Sequence, residues 1–113
     1  MESILTTIKS FVGVTEEYGH FDPQLIMHIN SVFMDLQQMG VGPEEGFMIE
    51  DDTSVWTDFL PAGINLEAVK SYMSIRVRLL FDPPQNSAVL NAMKAEADRW
   101  EWRLTVAAET PST

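Results

Sequence analysis

Hydrophobic and polar positions recur with a helical period most clearly in residues 21–41, FDPQLIMHINSVFMDLQQMGV, a stretch that also carries its own start and stop. At about 100° per residue, Leu25, Ile29, Val32, Leu36 and Met39 form one stripe, widened by Ile26 and Phe33. Asp22 suits the N-cap, Pro23 the first helical position, and Phe21 is spaced to pack on Ile26 as a hydrophobic staple. Gly40 supplies the left-handed residue that ends such a helix, with Val41 folding back on Leu36. The other face is polar at Asn30, Ser31, Asp35, Gln37 and Gln38, yet Met27 and Met34 also lie on it. They are either scattered surface apolarity or a flexible contact for a second chain.

The same reading gives three further helices. Residues 3–12 place Ile4, Ile8 and Phe11 on one line, with Leu5 and Val12 beside it and Gly13 as the stop. A polar connector, TEEYGH, leads into the central helix. After Gly40 comes a loop with Pro43, Glu44 and Glu45. Phe47 and Ile49 then alternate as in a short strand, while Ser54 before Val55, Trp56 and Phe59 suits the cap of one helical turn. A third helix begins at Asn65 as N-cap, with Ile64 and Val69 as a staple, and stops before Pro83-Pro84. Asn86 or Ser87 caps a fourth, which runs to about Leu104 with Val89, Met93, Trp100 and Leu104 on one side. The tail AAETPST reads as loose.

The expected core is Leu25, Ile29, Val32, Leu36, Val69, Met73, Val77, Met93 and Trp100. The third helix is apolar over more than half its circumference. Tyr72, Ile75 and Leu79 lie off the line of Leu66, Val69, Met73, Val77 and Leu80, and a packing face needs only about 100°. Trp102 likewise stands away from Trp100; either the helix ends early and Trp102 folds back, or it anchors a partner. Met27, Met34, Tyr72, Ile75, Leu79 and Trp102 are therefore the candidate interface residues. Arg76, between two apolar lines, calls for a carboxylate, for which Asp52 or Asp58 is the expected partner.

Composition narrows the function. A chain of 113 residues that is 45% hydrophobic fits one folded domain spanning residues 1–113. It holds no Cys, and no apolar leader or spanning run appears, so a soluble protein of intracellular origin is expected. A formal charge of −10 opposes phosphate binding. His20 and His28 are not one turn apart, so no two-histidine metal face exists; the glycines do not form a phosphate loop. Glu50, Asp51 and Asp52 lack the spacing of a calcium-binding loop and read as a solvated acidic segment. No enzyme, cofactor or metal centre is expected.

Several segments taken together, HINSVF, GVGPEEGF and RLLFDPP, with WTDF and EWRLTVAAE in the same order, resemble the small head-tail connector proteins of tailed bacteriophages, the adaptor or head-completion family of siphophages. The likeness runs from about Ile4 to Glu109. It implies a mainly α, four-helix subunit with an irregular acidic loop. It also implies a virion protein, made in the host bacterial cytoplasm, that forms a homo-oligomeric, dodecameric ring on the portal protein. Such a ring prolongs the DNA channel without specific DNA binding, receives a neck, stopper or tail-completion protein, and involves no membrane. The rival reading is a small acidic DNA mimic that inhibits a host nucleic-acid-binding protein.

Overall fold

The computed structural model describes residues 3–109. Among them the chain forms four α-helices, α1 (Ile4–Phe11), α2 (Asp22–Gln38), α3 (Ile64–Phe81) and α4 (Ser87–Glu109), with a 3₁₀ turn at Trp56–Asp58. The expected mainly α fold is borne out. No strand forms at Phe47 and Ile49; the sole extended pairing among the described residues is a bridge between Ser3 and Val55.

Both N-terminal helices stop in the same way. Gly40, at φ 84°, lets the Val41 N–H reach the Leu36 carbonyl at 2.9 Å and its own N–H reach Gln37 at 3.0 Å. Gly13, at φ 83°, repeats the arrangement, with the Val14 N–H on the Lys9 carbonyl at 2.9 Å. These are Schellman closures, in which the left-handed residue turns the chain back and satisfies the last carbonyls. The helix starts hold two corrections. Asp22 is the first helical residue and makes no cap; its carboxylate instead meets the buried Lys9 ammonium at 2.8 Å. Gly63, not Asn65, stands at the N-cap of α3, and Ile64 is exposed, so the expected staple does not form. The Asn86 carboxamide oxygen does cap α4, accepting the N–H groups of Ala88 and Val89 at 2.9 and 3.2 Å.

One core joins α1, α2, α3 and the segment between α2 and α3. Leu25, Ile29, Val32, Phe33 and Leu36 of α2 pack with Leu66, Val69, Met73 and Val77 of α3. Ile4, Leu5 and Ile8 of α1, with Val12 just past its end, close the core; Phe11, expected on the line of Ile4 and Ile8, is instead exposed at the last residue of the helix. The connecting segment is irregular but anchored. Trp56 is buried and donates through Nε1 to Thr7 Oγ1 at 2.9 Å, and Phe59 packs on Phe33 at 4.7 Å between ring centroids. Ile49 is buried too, with its backbone N–H and carbonyl both bonded to the Asn30 carboxamide at 2.8 and 3.0 Å.

The fourth helix departs from expectation. It runs past Leu104 to Glu109, and only Ala97 and Leu104 are buried. Met93 and Trp100 are half-buried rather than core, and Val89 is exposed. The physical reason is placement: α4 folds back on α3 alone along most of its length, so a single neighbour covers it. The first three residues of the expected loose tail belong to this helix, and the rest lies outside the described residues.

Candidate interaction surfaces

The residues expected to lie off the core divide into three groups. Tyr72 is covered within the chain, at 0% exposure, so its assignment to an interface is corrected. Its hydroxyl accepts a hydrogen bond from Arg76, whose guanidinium also pairs with Asp35 of α2 at 2.8 Å. Burial holds the Tyr72 phenol above its ordinary pKa of 10.0, against the opposing pull of Arg76. Arg76 therefore finds its carboxylate on α2, not at Asp52 or Asp58. Asp52 is exposed, and Asp58 accepts the Val55 N–H at 3.0 Å to close the 3₁₀ turn. The sequence reading missed Asp35 because it lies 41 residues from Arg76, and only the packing of α2 on α3 joins them.

Met27 and Met34 make up the second group. They are 63% and 57% exposed on the outer face of α2, where Asn30 and Gln37 share their side. Those two polar residues hold the α2–α3 segment in place, Asn30 at Ile49 and Gln37 at the Glu44 carbonyl, 2.9 Å away. Between these anchors Met48, which sequence reasoning did not single out, stands 66% exposed. Alternation was the available signal, since Met48 falls between Phe47, which packs on the core, and buried Ile49. Met27, Met34 and Met48 make up a methionine patch beside the clamped segment, and Glu44, Glu45, Glu50, Asp51 and Asp52 of that segment and its continuation are exposed as well.

The third group lies on the α3–α4 hairpin. Ile75 lines a groove with Phe11 of α1 and Val89 and Met93 of α4, in a cavity of about 510 Å³. A second cavity of about 410 Å³ shares Phe11, Ile75 and Glu96 with it and extends to Trp100 and Lys70. Leu79 is half-buried on the same helix. Trp102, two residues beyond Trp100, faces the other way and is 68% exposed among Asp98, Arg99 and Arg103. Because α4 continues beyond it, Trp102 does not fold back onto the core.

Nothing among the described residues gathers three or more His, Cys, Asp or Glu side chains into a metal site, and none of their helices is long and apolar enough to cross a membrane. Asp51 spends its carboxylate locally, accepting the Thr53 hydroxyl and N–H at 2.5 and 2.9 Å, which holds its pKa below the usual 3.8. What stands out is apolar surface on a helical body, and a family model described as phage connector protein matches residues 4–111. The chain belongs to this family. No curated protein and no solved structure matches it. The resemblance to phage head-tail connectors is thus borne out, and the protein is a structural connector of a phage particle. As a connector it is a virion component associated with the phage head.

Proposed function

We propose that this connector is an adaptor: it assembles as a ring on the portal, prolongs the DNA channel, and presents a docking surface to the next neck or tail-completion protein. The observation that supports this reading is the exposure of Trp102 on a 23-residue helix that buries only two side chains in its own subunit. A helix so long and so little covered gains most of its packing from another body, since amphipathic burial supplies most helical stability in proteins. Trp is the residue most enriched among side chains that dominate interfaces. Net negative charge suits a channel through which DNA passes without adhering.

The test is Trp102→Ala, measured by sedimentation with and without portal protein and by circular dichroism. A retained helical signal with portal binding weakened roughly 30-fold, the equivalent of about 2 kcal/mol, is the expected result. Unchanged binding would remove Trp102 from the docking surface. Tight, stoichiometric capture of a DNA-binding protein, with no affinity for portal, would favour the DNA mimic instead.

A further inference from the structure

Two apolar surfaces remain without a partner in the subunit: the methionine patch on α2 and the groove between α1, α3 and α4. We infer that they bind each other between copies, the Met27, Met34 and Met48 patch of one subunit seating in the Phe11, Ile75, Val89 and Met93 groove of the next. This rests on the ring assembly proposed above and adds which faces meet.

Position is the first argument. Ser74 and Arg78, which line the groove, stand two residues to either side of Arg76, and a step of two places them on the opposite side of α3. Arg76 reaches α2 through Asp35, so the groove opens away from α2 and its methionines. One subunit cannot bring the two surfaces together; two subunits can.

Charge supplies the second. No Lys or Arg occurs between Lys9 and Lys70, so the interval that carries Met27, Met34 and Met48 holds only acids among its Asp, Glu, Lys and Arg residues, with exposed Glu44, Glu45 and Glu50 within four residues of Met48. Six of the seven basic residues follow, on α3 and α4, with Lys70 and Arg78 at the groove. Lys70 pairs with Glu67 and Arg78 lies near Asp82, both within one turn and partly in water, where such pairs are weak and readily exchanged. Patch against patch sets acid against acid. Patch against groove sets acid against base, with Glu96 the one carboxylate lining the groove.

Dimensions agree as well. Met27 and Met34 are about 10 Å apart along α2, and the groove between Val89 and Trp100 runs about 16 Å along α4 at 1.5 Å per residue. Unbranched, polarizable methionines fill irregular apolar clefts of this kind. A contact between two different faces is head-to-tail, so its repetition gives a closed ring or an open filament according to the rotation between copies.

The absence of cysteine from the chain makes the test clean. Met34→Cys and Val89→Cys each change an exposed side chain, and a short bismaleimide then reports whether the two faces meet. The mixture of the two single variants is expected to give a cross-linked dimer, each variant alone almost none, and the double variant a ladder of multimers. Cross-linking of Met34→Cys alone as efficient as that of the mixture would overturn the head-to-tail pairing. So would a mixture that yields no dimer. In that last case sedimentation of the wild-type protein separates the causes: an oligomer that does not cross-link removes only this pairing, whereas a monomer up to about 1 mM removes the self-assembled ring with it.

Discussion

Helices α2 and α4 show two ways of using an amphipathic sequence. Over its 17 residues α2 buries five large apolar side chains, because α1, α3 and the α2–α3 segment surround it. Over 23 residues α4 buries only Ala97 and Leu104, because α3 is its main neighbour. The first helix is specified by its own subunit. The second carries Val89, Met93, Trp100 and Trp102 on two sides and leaves much of that surface for other bodies.

The comparison breaks most sharply at Leu36. Leu36→Ala should cost about 2–5 kcal/mol in chemical denaturation, the range for truncating a fully buried leucine. Val89→Ala on α4 should change stability by less than about 0.5 kcal/mol. Equal losses at the two positions would erase the distinction.

Gly42 tests the irregular segment that completes the cover of α2. Its φ is 90°, and a Cβ there would overlap the Phe59 ring. Gly42→Ala should therefore destabilise by about 1–3 kcal/mol, through overpacking and a disfavoured backbone. A neutral result would mean that the aromatic cluster of Phe33, Phe47 and Phe59 shifts freely.

A smaller effect is expected at Tyr72, where α2 and α3 share a polar contact. Tyr72→Phe should cost about 0.5–1.5 kcal/mol by removing the acceptor of one Arg76 hydrogen bond. The sign of its pH dependence follows from the raised phenol pKa. The folded state favours the neutral phenol, so this contribution is complete below the ordinary pKa of 10.0 and declines as pH rises through the higher folded value. Wild-type stability should fall more steeply than that of Tyr72→Phe from about pH 10.0 up to that higher value, as read from melting temperatures across an alkaline series. Smallest of all is Trp102→Ala on the free subunit, with a shift within about 0.5 kcal/mol.

Where sequence and structure agree, the information was local. The stripe of α2, its Gly40 closure and the Asp82-Pro83 exit of α3 depend on neighbours within a few residues, and each formed as expected. What was illegible depended on distant packing. Asp22 looked like a cap because its partner Lys9 lies in another helix, and Arg76 lacked its acid because α2 supplies it. Periodicity identified Met93 and Trp100 as a stripe but carried no measure of how many neighbours would cover it. For the candidate surfaces, Met27, Met34, Ile75 and Trp102 were legible as surplus apolarity. Met48 was legible only as the outward position in the alternation of Phe47 and Ile49, and what fixes that segment beside α2 is the distant Asn30 clamp on Ile49.

Hydrogen–deuterium exchange, followed by mass spectrometry on the free and the assembled protein, tests most directly whether α2 is held by its own subunit before assembly and α4 gains its hold from assembly. In the free subunit, amides of α4 should exchange faster than those of α2, because opening a helix with few buried contacts costs less. On assembly, protection should rise in α4 while the already slow amides of α2 change little. An α4 as protected as α2 in the free subunit, or one that gains no protection on assembly, would contradict the account.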